Sequence, residues 1–381
     1  MTRSRLRVAV IGGGIIGCAA AAHLAERGAS VSLFERMAIG AGASGRNLGA
    51  IQHPFDPALA TLHRETLELY RSLADDGMGF DLPAAPAGLL LLSRDADAAR
   101  RQAQRMAIAL PELRPTFVEE ARALEPTLAP GIAACRLETA YPVPPASATA
   151  AYASLARRHG AEMQIGSAAR PWLERGRALG VELEDGSRVA SDAVLVAAGP
   201  WTPPLVDATG SWEPIRATWG VTVQLGLADP PRHVVEEDEV DAVNRPAAAT
   251  ARAAATDVGE EPPSLFSLAS ANGVSSLGST FLPAEPDPEP VAALLVHRAA
   301  AFLPAIATAT LLERRICARP QSIDGRPFIG AVAGVERLFV CAGHGPWGIS
   351  TGPASARLIA DLILDIADAV PPELSAVRPL N

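Results

Sequence analysis

Gly12-x-Gly14-x-x-Gly17 stands between the apolar run Leu6–Ile11 and an apolar helical stretch, with Glu35 following 18 residues after the last glycine. These residue types at this spacing bind a dinucleotide. Gly12 permits a tight turn, Gly14 lets backbone approach a pyrophosphate, and Gly17 lets the helix pack closely on the strand. The helix begins at Ile15 and Ile16, so its free amides and partial positive charge face the phosphates. Glu35, followed by Arg36, is placed to accept hydrogen bonds from the adenosine ribose. The motif alone does not separate NAD from FAD.

The elements around the motif make one βαβ unit: a buried strand over Leu6–Ile11, a helix to Ala25 closed near Gly28, and a second strand over Val31–Phe34. Further helices are expected over Leu59–Leu73, Asp95–Ala109, Ala146–Arg158, Val291–Phe302 and Ser355–Ala367. Buried strands are expected at Gly88–Ser93, Asp192–Ala198 and Leu338–Ala342, with a hairpin turning at Asp185-Gly186. Parallel-strand signals thus fall at the beginning, the middle and the end. The expected architecture is α/β: a Rossmann-like nucleotide domain, discontinuous in sequence, with an inserted α+β domain on an antiparallel sheet. We assign 1–80, 141–205 and 318–381 to the first domain and 81–140 and 206–317 to the second. Within the second, 230–263 reads as an acidic loop or insertion, because Glu236 to Asp241 holds five acids in six residues.

Composition narrows the chemistry. The chain has 381 residues, 49 % hydrophobic and 20 % charged, which suits a folded protein of two or three units. No lysine occurs, so all 33 basic residues are arginine. A Schiff-base lysine, a pyridoxal-phosphate anchor and a P-loop lysine are therefore excluded. The net charge of −9, with arginines scattered, argues against a nucleic-acid partner. Four widely spaced cysteines (Cys18, Cys135, Cys317, Cys341) form no CxxC pair, so they read as reduced thiols, and no metal site is expected. No apolar stretch of spanning length escapes charge or proline, and a cytoplasmic location is the expectation.

Five segments in order resemble one family. They are the glycine motif, Gly42-Ala43-Ser44-Gly45-Arg46-Asn47-Leu48-Gly49, Ala197-Ala198-Gly199-Pro200-Trp201, Arg319-Pro320-Gln321-Ser322-Ile323-Asp324-Gly325-Arg326-Pro327-Phe328-Ile329-Gly330, and Ala342-Gly343-His344-Gly345-Pro346-Trp347-Gly348-Ile349. Together they look like the D-amino-acid oxidase superfamily, which includes glycine oxidase, sarcosine oxidase and D-amino-acid dehydrogenase. The resemblance runs from residue 8 to about 365, and 206–310 matches poorly. It implies FAD rather than NAD, and oxidation of a carbon–nitrogen bond in a small carboxylated amine.

The same resemblance assigns roles. Ser44, Gly45 and Arg46 would reach the pyrophosphate, and Asn47, Gly49 and Gln52 would lie near the isoalloxazine. Ala198, Gly199 and Trp201 belong to the same cofactor set. Gly343, His344, Gly345, Trp347, Gly348 and Ile349 would supply backbone to the flavin, with His344 either a hydrogen-bonded structural residue or a positive charge there. Arg319, His344 and Trp347 are the residues assigned to catalysis, Arg319 by holding the substrate carboxylate in a bidentate pair. Two readings of Cys317 stand: a small buried residue beside non-covalent FAD, which is preferred, or a sulfur attached to the flavin. Asp324-Gly325 reads as a turn.

The implied mechanism transfers hydride from the amine's α-carbon to flavin N5, giving an imine that hydrolyses, with no general base required. No Ser/His/Asp or paired-carboxylate constellation is found, in keeping with that. The partners are an amine substrate and either oxygen or another electron acceptor; the sequence leaves the oligomeric state open. The alternatives are a flavoprotein that turns nothing over, including a partner subunit, and a tRNA-modifying flavin oxidase.

Overall fold

The computed structural model describes residues 5–238, 265–367 and 369–380. Two large sheets dominate. The first has six strands in the order Phe328–Ala331 (β18), Leu338–Ala342 (β19), Ala193–Val196 (β12), Arg7–Ile11 (β1), Ser30–Glu35 (β2) and Glu162–Ile165 (β8). All neighbours are parallel except β18 and β19. Strands from the beginning, middle and end of the chain meet here, as the apolar runs predict.

The second sheet has eight strands: Thr310–Ser322 (β17), Ile215–Gly226 (β13), Val274–Gly278 (β16), Ser267–Ala271 (β15), Val234–Glu237 (β14), Leu89–Ser93 (β4), Ala133–Leu137 (β6) and Thr116–Val118 (β5). It is antiparallel apart from the parallel pair β14–β4. Smaller sheets are formed by Arg188–Ala190 (β11), Arg177–Leu183 (β10) and Ala169–Glu174 (β9), and by Ala50–Ile51 (β3) with Tyr141–Pro142 (β7).

Helix α1 (Ile15–Glu26) buries every residue from Ile15 to Ala25. It is apolar all round because strands β1 and β2, Ser147–Arg158 (α5) and Gly348–Ile363 (α8) all pack against it, and its alanines allow the close approach. The four-residue α2 (Ala43–Arg46) carries the expected pyrophosphate loop, and Ala60–Asp75 (α3) packs on α8. Ala96–Ala109 (α4) starts after Asp95, whose carboxylate accepts the Asp97 amide. Helix α6 covers Thr202–Val206, and α7 covers Pro288–Ala300.

Three expectations change. The last helix begins at Gly348 rather than near Ser355, and Pro353 lies inside it. Proline has no N–H for the carbonyl four residues back, and the Tyr70 hydroxyl donates to that Ile349 carbonyl at 2.8 Å instead. The acidic stretch is not solvated throughout: Glu236 and Glu237 lie buried in β14, and the Arg298 guanidinium of α7 pairs with Glu237 at 2.6 Å. A strand in mid-sheet overrides the preference of acids for water because its partner charge is supplied. The remainder, 239–264, lies outside the described residues. The expected domain boundary at 317/318 falls inside β17, a single strand that carries Cys317 and Arg319 together.

Candidate active site

A cavity of about 510 Å3 lies where the C-terminal ends of the parallel strands meet β17. Brought together on its wall are Gly12, Gly14, Ile15, Ile16, Glu35 and Arg36 of the nucleotide unit, and Ser44 and Arg46 of α2 with Asn47 just after it. Ala198, Gly199, Trp201, Cys317, Arg319, His344, Gly345, Gly348 and Ile349 join them there. A crevice beyond the strand ends is where an open parallel sheet binds ligands.

Local geometry explains the nucleotide end. A Cβ on Gly12 would stand 2.5 Å from the Ala197 carbonyl oxygen, and one on Gly17 only 1.9 Å from that of Gly12. The turn therefore exists only with glycine at both positions. The Glu35 carboxylate accepts the amides of Gly13 at 2.7 Å and Met37 at 2.8 Å, which fixes it with lone pairs to spare. Ser44 Oγ accepts the Ile15 amide at 3.0 Å, so its own proton is free to reach an anion at the start of α1. Arg36 stacks over Trp201, 4.0 Å from the ring centroid.

Helix α2 and β17 are tied by reciprocal arginines. Arg46 Nη1 donates to the Ile316 carbonyl at 2.9 Å, and Arg315 Nη1 donates to the Gly45 carbonyl at 3.2 Å. Thr222 Oγ1 donates to the Arg46 carbonyl at 3.2 Å. Cys317 is buried on the cavity wall, its sulfur 4.0 Å from the same carbonyl.

Arg319 is 9 % exposed, an unusual place for a guanidinium. Nη1 donates to the Thr280 carbonyl at 2.7 Å, Nη2 donates to Ser279 Oγ at 2.5 Å, and the group stacks 4.7 Å from the Phe281 centroid. Among the described residues no carboxylate pairs with it. Burial lowers its pKa, an effect that nearby Cys317 opposes, yet arginine stays charged. Gly220, across the ladder from Cys317, makes the room: a Cβ there would be 2.4 Å from Nη1.

Several assigned residues stand elsewhere. Gly17, Gly45, Gly49, Gln52, Gly343 and Trp347 are not on the wall. A Cβ on Gly49 would meet the Val143 carbonyl at 2.3 Å, so this glycine serves a chain crossing. Asn47 braces the α2 turn, donating to the Ser44 carbonyl at 2.8 Å and accepting the Gly49 amide. The Gln52 amide donates to Ser350 Oγ. Trp347 packs edge-on against Phe55, 5.8 Å between centroids, because the backbone of Gly345 and Gly348 takes the cavity side of that turn. Asp324-Gly325 is a turn, and the Asp324 carboxylate holds Arg378.

Of the two readings of His344, burial favours the one without charge: the residue is 2 % exposed, and desolvation pushes its pKa down to about 3. Its Nε2 is buried without a partner among the described residues. That orphaned atom on the wall, with the glycine cradle that a Cβ would fill and the clamped Glu35, fits a bound FAD.

Trp219, Ser279, Thr280, Phe281, Gly220 and Glu285 were not singled out by sequence. Trp219 and Glu285 line the cavity, and the others set Arg319. Gly220 inside a strand-like run was the one available signal, since glycine there marks a close approach.

Comparison with known proteins identifies the family and supports the fold. Residues 7–362 match the family described as DAO, FAD dependent oxidoreductase. Glycine oxidase of Pseudomonas aeruginosa is 29 % identical over 373 residues, covering 94 % of each chain. D-amino acid dehydrogenase of Xanthobacter autotrophicus is 29 % identical over 193 residues, 50 % of this chain and 41 % of its own. The crystal structure of glycine oxidase from Geobacillus kaustophilus superposes with a TM-score of 0.81 at 24 % identity, covering 99 % of this chain and 100 % of that one, and supports the fold. No described helix is long and apolar enough to cross a membrane.

Proposed function

From the premise that this chain belongs to the DAO family of FAD-dependent oxidoreductases, acting on amines or amino acids, we propose that it oxidises the C–N bond of a small amine bearing a carboxylate. The observation that carries this reading is Arg319: a buried guanidinium on the cavity wall, held by neutral groups, with no carboxylate of its own among the described residues. A buried cation lacking its counter-ion is costly, and a substrate carboxylate would supply it in bidentate geometry.

Bound FAD supplies the acceptor for two electrons and a hydrogen from the carbon next to nitrogen. The chain's own residues do the rest. Arg319 binds the carboxylate and so fixes where the adjacent carbon and nitrogen lie. Phe281 stacks on the guanidinium and sets apolar surface beside it, and Trp219 lines the cavity. Neutral His344 leaves the substrate's amine free of a competing cation. Glu35, Ser44 and the start of α1 hold the nucleotide. The oxidised product is an imine, which water hydrolyses.

We take oxygen as the electron acceptor, because in sequence the glycine oxidase of Pseudomonas aeruginosa matches over 94 % of this chain, whereas the D-amino acid dehydrogenase matches over 50 % of it. We take FAD as non-covalent, with Cys317 as a small wall residue. The test is an anaerobic panel of glycine, sarcosine and D-amino acids, watched for bleaching of the flavin band, followed by oxygen and a peroxide assay. Bleaching by a carboxylated amine and not by its decarboxylated analogue is the expected result. A pure, folded protein that is bleached equally well by both overturns the role of Arg319, and one that refuses FAD overturns the reading whole.

A further inference from the structure

Glu285 is the second carboxylate on the cavity wall, after Glu35. Glu35 is clamped by two amides, whereas Glu285 is exposed and has no hydrogen bond or ion pair among the described residues. It belongs to the same loop that sets the substrate arginine. Ser279 and Thr280 bind the Arg319 guanidinium and Phe281 stacks on it. Leu282 then pairs through both backbone groups with Trp219, at 2.7 and 2.8 Å, and Glu285 follows three residues later.

The Cα of Glu285 therefore lies at most about 14 Å from that of Phe281, four residues away. Trp219 lines the cavity too, and its backbone pairs with Leu282, one residue after Phe281 and three before Glu285. The site thus has a cationic inner pole, an apolar flank and an anionic outer pole.

We propose that Glu285 is a specificity-determining residue that selects substrates whose tail, beyond the carboxylated carbon, is a short apolar stem ending in a cation. Diamino acids have this chemistry. The inference rests on the reading of Arg319 as the carboxylate site. A tail of methylene groups lies on Trp219 while its ammonium head stays wet beside Glu285, as amphipathic cations do. The same carboxylate repels a second acid at the tail, so selection works by rejection as well as attraction.

The test needs no turnover. Pentanoate, ω-aminopentanoate and glutarate are titrated into the FAD-loaded protein and followed by the shift of the flavin absorption band. The expected order is ω-aminopentanoate tightest and glutarate weakest, each step about fivefold, the size of an exposed charge pair. Glu285→Gln brings the three together, and added salt shrinks the differences in the wild type. If all three bind with no such order, or if Glu285→Gln preserves it, the Glu285 inference falls while the carboxylate site stands. If none binds, or if Arg319→Met leaves all three unchanged, the carboxylate reading falls and the inference with it.

Discussion

Gly220→Ala separates the fold from the function with one methyl group. The new Cβ would sit 2.4 Å from Arg319 Nη1, 2.5 Å from Nη2 and 2.6 Å from Cζ, where ordinary contact begins at 3.4 Å. The difference, 3.4 − 2.4, is 1.0 Å, so the guanidinium must move by about that much. It is the far end of a flexible side chain, and β13 and β17 keep their ladder, so the cost to folding is small. The cost to binding is not small, because a bidentate pair depends on position. A misplacement of about 1 Å costs on the order of a hundredfold in rate. We expect kcat/KM for the best carboxylated amine to fall by about that factor, with flavin content and thermal midpoint close to wild type. Steady-state kinetics beside a melting curve measures both. If kcat/KM stays within about threefold of wild type, the guanidinium is not where substrate binds, and the argument from Gly220 is refuted.

Three further outcomes follow from the same geometry. Glu35→Ala removes the acceptor for the Gly13 and Met37 amides and for a ribose, so FAD affinity should drop about ten- to a hundredfold by titration of apoprotein; unchanged affinity would detach Glu35 from the nucleotide. Acid precipitation should leave the flavin in the supernatant, and Cys317→Ser should stay yellow; colour retained in the pellet of the wild type alone would mean a thioether. Burial lowers His63 to about 4 and His344 to about 3, and it lowers His23 and His53 as well. Unfolded imidazoles protonate near pH 6.5, so the unfolded chain binds more protons below that value. Stability is therefore complete above about pH 6.5 and falls toward pH 4, His63 alone contributing about 3 kcal/mol of the loss. Urea melts across that range should show the slope, and His63→Gln should flatten it; a slope indifferent to that change would exonerate the pair His53–His63.

The nucleotide end was legible in sequence because its function depends on backbone shape, which glycine announces. The Gly12 turn, α1 and Glu35 all lie where spacing put them. Arg319 was legible through its resemblance, but the reasons it stays in place were not. Thr280, Ser279, Phe281 and Gly220 come from strands and a loop far from it in the chain, and only sheet register unites them. Trp347 and Gly49 differ from expectation for the opposite reason: Trp347 stands between two wall residues but packs on Phe55, and Gly49 accommodates a crossing chain. Glu237 shows that a run of acids is a weak guide when a neighbouring helix supplies Arg298.

The mutual arginine tie between α2 and β17 has an evolutionary side. Because Arg46 and Arg315 each grip the other element's backbone, the α2 wall and the strand that carries the proposed substrate arginine are one mechanical part. New substrate preferences in descendants of this chain cannot come cheaply by re-aiming that strand, since the cofactor would feel every shift. Variation is left to the exposed end of the loop around Glu285, where residues can be exchanged without disturbing Ser279, Thr280 and Phe281, which hold Arg319.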